Sequence, residues 1–132
     1  MEPKIKYEDT NAPLGWLRSL TALAVFYEML VNAGRIRCAF DVFAAHFVGN
    51  PSRRLPWHGP QGELPHLFSM LVDEKVIPYN ACYLVLLFQH FERADGRLLN
   101  YASLKTLKAR APSPFVQHFV YRLLEALKRL SD

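Results

Sequence analysis

The sequence has little of what usually announces a chemistry. It contains two cysteines, Cys38 and Cys82, too few for the disulfide framework of a small secreted scaffold. Its six glycines never form Gly-x-Gly-x-x-Gly or Gly-Lys-Ser/Thr, which excludes the phosphate cradles built on those patterns. Nothing resembles Gly-x-Ser-x-Gly, and no serine or cysteine stands in a pattern that would supply it with a base. The five histidines (His46, His58, His66, His90 and His118) include no His-x3-His pair. Glu63 and His66 make a single Glu-x-x-His where carboxylate-bridged two-metal sites need two, and they read as an exposed first-turn pair. With 12 carboxylates, mostly on expected solvent faces, no acid/base pair can be nominated. The expectation is therefore no catalytic residue, no metal, no cofactor and no small-molecule substrate: not an enzyme. The apolar run from Asn80 to Gln89 is far short of a bilayer span, and Met1 to Thr10 lacks the apolar stretch of a signal peptide. A cytoplasmic protein without a membrane partner is expected.

What is present is apolar and aromatic. Hydrophobic residues make up 51% and aromatic residues 13% of the 132-residue chain, with 21% charged. A domain of this size buries roughly two-thirds of its unfolded surface, so that composition predicts one folded domain over 13–132 behind a flexible arm over 1–12. The net charge of +4 is unevenly spread. Residues 1–92 carry 8 basic and 9 acidic side chains, residues 93–132 carry 8 and 3. The excess is C-terminal, as in proteins that contact nucleic acid or another polyanion, and also as on an ordinary solvated helix face.

Periodicity predicts an all-α fold of about six helices. Pro13 suits a first turn, and Trp16, Leu20, Leu23, Tyr27 and Leu30 continue a stripe that Gly34 stops. Phe40, Phe43 and Phe47 mark a second helix over about 37–48. Three prolines and three glycines make 49–62 a loop. Leu64, Leu67, Phe68, Leu71 and Val72 mark a third helix over about 63–76, with Pro65 tolerable in its first turn. Asn80 would cap a fourth helix to about Glu92, apolar almost all round and hence expected to be the most buried element. Asn100 would cap a fifth over 101–111, and Ser113-Pro114 would open the last, with Glu125 and Arg129 spaced for an ion pair. No segment alternates like a strand. A shift of 41 positions lays Tyr27–Asn32 over Phe68–Asp73 and Ile36 over Ile77, and a further three lay Ala45-His46-Phe47 over Gln89-His90-Phe91. The architecture expected is two similar helical hairpins followed by a basic helical pair.

Two functions follow. In a helix-turn-helix, one helix packs by its apolar face and offers polar and basic side chains to the major groove. The fifth helix divides its residues in that way: Leu104 and Leu107 inward, Asn100, Ser103, Lys105, Thr106, Lys108 and Arg110 outward. Arg53, Arg54 and Arg122, with Lys128 and Arg129, could add phosphate contacts. The alternative is a protein-interaction module or homo-oligomer, since a helix apolar all round must be covered by the domain or by a partner.

The stretch from Trp57 to Ile77 resembles the C-terminal part of the RteC-type regulators of conjugative transposons, proteins linked to tetracycline-regulated excision. In that family Trp-x-Gly or Trp-x-Ala opens a helix with an acidic residue, a Leu and an apolar pair, closing before a hydrophobic turn. Those roles fall here on Trp57, Gly59, Glu63, Leu64, Leu67, Phe68 and Ile77. More loosely, Leu107-Lys108-Ala109-Arg110, Phe115 and Leu124-Glu125-Ala126-Leu127 are similar to the family's basic helix and last helix. The family's small hydroxyl residue and Lys after the Gly are replaced by Pro60, Gln61 and Gly62, and its turn Gly by Lys75. The resemblance implies a bacterial mobile-element protein with a regulatory or accessory role and, for Trp57 and the leucines, the packing of a helix start.

Overall fold

A computed structural model describes residues 12–131. The arm expected over 1–12 lies, apart from Ala12, outside the described residues. Six helices form where the apolar stripes run: α1 (Leu20–Asn32), α2 (Phe40–Val48), α3 (Glu63–Asp73), α4 (Tyr83–His90), α5 (Tyr101–Lys108) and α6 (Pro114–Arg129). None of them is long and apolar enough to cross a membrane. The fold is mostly helical but not all-α. Leu55–Trp57 (β1) and Phe91–Arg93 (β2) pair in parallel, Leu55 beside Phe91 and Trp57 beside Arg93. Both strands lie where a loop and a helix end are predicted. Leu55 precedes Pro56 and is held extended by it, but three residues are too few to show alternation. The pairing is long-range and has no local signature.

Helix α1 begins at Leu20, not near Pro13. Its cap is Ser19, whose hydroxyl accepts the Ala22 N–H at 3.1 Å. The preceding residues are claimed by tertiary contacts: the Leu14 and Gly15 amides donate to the His46 and Phe47 carbonyls at the end of α2. Gly15 has φ +88°, and a side chain there would strike the Pro78 ring. Helix α4 begins at Tyr83, with Asn80 two residues too early to be its cap; Asn80 instead accepts the Cys82 N–H at 2.7 Å in the turn leading in. Asn100 and Ser113 do cap α5 and α6, accepting the Ser103 and Val116 amides.

The most buried helix is α3, not α4. It packs against α4, α5 and α6, and Leu64, Leu67, Phe68 and Leu71 are all buried. The α4 residues Tyr83, Leu84 and Phe88 are only partly buried against the same core. The expected exposed pair at the start of α3 also differs from what is found. Glu63 is 6% exposed, held by the Arg35 guanidinium through two 2.7 Å hydrogen bonds and by the Trp57 indole N–H at 3.2 Å. A buried carboxylate needs such partners. A side chain at Gly59 would collide with Arg35 and Glu63 and would have to displace their ion pair. Trp57, Leu64, Leu67, Phe68 and Ile77 all lie in the core.

The 41-residue correspondence extends well past the stretch that suggested it. Leu14, Leu23, Phe26, Leu30 and Ile36 correspond to Leu55, Leu64, Leu67, Leu71 and Ile77, and all ten are buried. Trp16 corresponds to Trp57, and each indole N–H donates to the carbonyl three residues on, Ser19 and Pro60. Trp16 meets Phe47 edge-on at 5.8 Å, as Trp57 meets Phe91 at 6.0 Å. Two backbone bonds cross between the halves: Leu17 N–H donates to Val76, and His58 N–H to Arg35, both at 2.9 Å. Each residue of one bond corresponds to its counterpart in the other. The turns after α1 and α3 also correspond, at Gly34 (φ +77°) and Lys75 (φ +59°).

Lys75 therefore sits in the left-handed conformation that its counterpart in the first half fills with glycine. A side chain in that conformation costs roughly 1 kcal/mol. Lys75→Gly is expected to stabilise the protein by about 0.5–1 kcal/mol in urea unfolding; destabilisation would show that the lysine side chain is needed at the turn.

Candidate nucleic-acid interface

The basic side chains singled out from the sequence separate into three places. On α5, Leu104 is buried and Leu107 packs beside Gly62, which leaves Lys105 and Lys108 exposed; Arg110, also exposed, follows the helix, which ends at Lys108 and not near 111 as expected. Two of these cations lie over aromatic rings. The Lys105 ammonium is 5.6 Å from the Tyr101 ring centre, and the Lys108 ammonium is 4.9 Å from that of Tyr83 on α4. Two polar residues expected to face outward have structural roles. The Asn100 side chain accepts the Ser103 N–H at 2.9 Å, and the Asn100 backbone N–H donates to the Gln61 side-chain oxygen at 3.1 Å; Ser103 is half-buried. The Thr106 hydroxyl, at the surface, donates to the Ala102 carbonyl at 3.3 Å.

Arg53 and Arg54 precede β1 and line a cleft of about 440 Å³ together with Arg37, His58 and Glu92. Arg37 and His58 carried no pattern in the sequence; only the fold of the α1–α2 turn against β1 brings them there. Arg54 also joins this cleft to α5. Its Nε donates to the Phe88 carbonyl at 3.0 Å and its guanidinium lies 5.5 Å from the Phe88 ring, which meets Tyr101 edge-on at 6.1 Å. Arg54, Phe88, Tyr101 and Lys105 thus form one continuous run of cations and rings.

Arg122 stands elsewhere, in a second depression between α1 and α6 lined by Met29, Asn32, Phe115 and His118. Lys128 pairs with Glu125 at 3.5 Å, so the ion pair on α6 is i,i+3 and not the expected Glu125–Arg129. Helix α5 docks on α3 and α4, and α6 on α1 and α3. The two basic helices thus share α3 as a support, with α5 also against α4 and α6 also against α1.

Behind the arginine cleft lies a buried imidazole pair. His46 and His90 meet Nδ1 to Nδ1 at 2.9 Å, and His90 Nε2 lies 2.9 Å from the Ala12 carbonyl. The neutral tautomers that satisfy both contacts have His90 donating to Ala12 and His46 donating to His90. Burial, followed by the proximity of His90, lowers His46 to about pKa 4, although a proton would also gain a bond to the Arg53 carbonyl. Burial likewise lowers His90; the Ala12 bond opposes that shift and the Arg54 charge adds to it. At neutral pH the pair is uncharged.

Cys38, on the cleft lining, is pushed up chiefly by burial. It remains a thiol at neutral pH and is poorly suited to nucleophilic attack. Among the described residues, no three His, Cys, Asp or Glu side chains converge to hold a metal ion. No protein family, no curated protein and no solved structure matches this chain.

The imidazole pair makes stability fall with acid. Unfolded histidines take up protons near pH 6.5, whereas His46 in the folded protein resists protonation until about pH 4. Stability is complete above pH 6.5 and declines toward pH 4, with a contribution from His46 on the order of 2 kcal/mol. Urea unfolding at a series of pH values should show a shallower acid decline for the double variant His46→Leu, His90→Leu than for the parent. Equal slopes in the two proteins would contradict the assignment.

Proposed function

We propose that this protein is a non-enzymatic, DNA-associated regulatory or accessory module that docks through α5 and the aromatic surface beside it. The observation that carries this is the display of Lys105 and Lys108 on a short helix anchored by Leu104, and of Arg110 two residues past its end, with Tyr83, Tyr101 and Phe88 between those cations and Arg54. An eight-residue helix is about 12 Å long, close to the width of the major groove. Guanidinium and ammonium groups at its surface suit phosphate contacts, which set affinity and its salt dependence. Asn100 and Ser103 are not base-reading residues in this proposal, because they build the start of the helix. Arg122 belongs to a different surface and contributes nothing to it. The bacterial mobile-element setting follows from the resemblance of residues 57–77 to RteC-type regulators. The interaction-module alternative drew on the apolar character of α4, and that helix packs on α3 and α5 within the domain.

Fluorescence anisotropy against a labelled duplex from the region upstream of its own coding sequence tests the proposal. The triple variant Lys105→Gln, Lys108→Gln, Arg110→Gln should bind at least tenfold more weakly. It should also flatten the slope of log K against log salt by about 2–3, the loss expected for three phosphate contacts. All three side chains are exposed, so the circular dichroism spectrum should be unchanged. No binding at low salt, or an unchanged salt slope in the variant, would overturn the proposal.

A further inference from the structure

We infer that His46 and His90 form a two-coordinate site for a monovalent copper ion, seated where the two halves of the molecule meet. The two histidines are counterparts: each stands in the last turn of its helix, α2 or α4, and a shift of 44 positions carries one onto the other. Their outer bonds correspond as well. His90 Nε2 lies 2.9 Å from the Ala12 carbonyl, and the carbonyl within hydrogen-bonding reach of His46 is that of Arg53, 41 positions on from Ala12. Both rings are buried, and their Nδ1 atoms face each other at 2.9 Å. Each half thus offers the same atom to one point.

Metal-bound histidines have this arrangement: one ring nitrogen faces the metal, and the other donates to a backbone carbonyl or carboxylate that fixes the tautomer. The neutral pair by itself cannot serve both carbonyls. Two neutral rings carry two protons; one goes to Ala12 and the other to the contact between the rings, which leaves the His46 Nε2 lone pair toward the Arg53 carbonyl. An ion between the Nδ1 atoms removes that mismatch. The His46 proton moves from Nδ1 to Nε2 and is donated to Arg53, both Nδ1 lone pairs bind the ion, and no proton leaves the protein. Burial keeps both rings neutral at pH 7, so protons do not compete for those lone pairs.

Ligand number and charge select the ion. Among the described residues no third His, Cys, Asp or Glu converges on the pair, whereas zinc takes four ligands. Burial and, at His90, the Arg54 charge oppose positive charge here, which weighs against a divalent ion. Copper(I) carries a single charge, accepts imidazole nitrogen and binds two collinear donors. Metal–imidazole bonds of about 2 Å set the two nitrogens about 4 Å apart. The rings therefore part by roughly 1 Å on binding, a movement shared between side chains on two helices.

Anaerobic titration of Cu(I) into the full chain tests this, with Cys38→Ala and Cys82→Ala removing the competing thiols; neither cysteine is fully buried, so the fold should survive. One equivalent should be retained against a competing chelator, and X-ray absorption should show two nitrogen neighbours in a linear arrangement. Copper held about a hundredfold above its Kd should raise the urea midpoint by roughly 1 M. His46→Gln, and the double variant His46→Leu, His90→Leu, should each weaken binding at least a hundredfold, with circular dichroism confirming that they fold. The α5 variant Lys105→Gln, Lys108→Gln, Arg110→Gln should bind copper as the parent does, which separates this site from DNA docking. In the chain with its cysteines intact, nitrogen NMR should show both Nδ1 resonances shifting together once the thiols are saturated. Loss of all copper to the chelator, sulfur neighbours without nitrogen, or histidine variants that hold copper as tightly as the parent would overturn the inference.

Discussion

The two crossed backbone hydrogen bonds, Leu17 to Val76 and His58 to Arg35, are the constraint on which the rest of the molecule depends. Each carries the segment leading into one helix across to the end of the corresponding helix in the other half. Each bond gives an amide of one half an acceptor in the other, and the reciprocal arrangement ties the two segments together. With those segments fixed, Trp16 and Trp57 are aimed into the core against Phe47 and Phe91. Trp57 in turn places its N–H on Glu63, and Glu63 fixes the Arg35 guanidinium, which also lies 4.0 Å from the Phe115 ring of α6. One chain of contacts therefore runs from the junction of the halves to the last helix.

The same junction sets out the charged surface. Pairing of β1 with β2 brings the residues before Leu55 next to the end of α4, which positions Arg54 over Phe88 and the cleft beside it. Docking of α5 on α4 then extends that run to Tyr101 and Lys105. The imidazole pair behind the cleft adds no charge at neutral pH, so the arginines are not further opposed from within.

The helices were legible from the sequence because each writes a long stripe at helical spacing, and the caps at Asn100 and Ser113 because capping is local. Ser19 was equally local, but Pro13 offered an earlier start, and only the contacts of Leu14 and Gly15 with α2 exclude it. The strands were illegible, since three residues show no period and their partners lie 36 positions away. The burial of α3 over α4 depends on which helix is surrounded, which composition does not encode. Lys105, Lys108 and Arg110 could be nominated from α5 alone. Arg37 and His58 could not, because nothing in their neighbouring residues marks them and the cleft exists only once the α1–α2 turn meets β1. The shift of 41 positions was visible as a run of six residues and Ile36; its full extent required the crossed bonds and the matching indoles.

The reciprocal closure of the halves makes a direct demand on the backbone. If the two crossed bonds form one cooperative junction, the Leu17 and His58 amides open together, and only with the core around them. Native-state hydrogen exchange of the full chain across a urea series should give both amides the same opening free energy and the same denaturant dependence as Leu23 and Leu64 in the buried helices. Exchange of either amide by a shallow local opening, while the other is released with the core, would contradict the account.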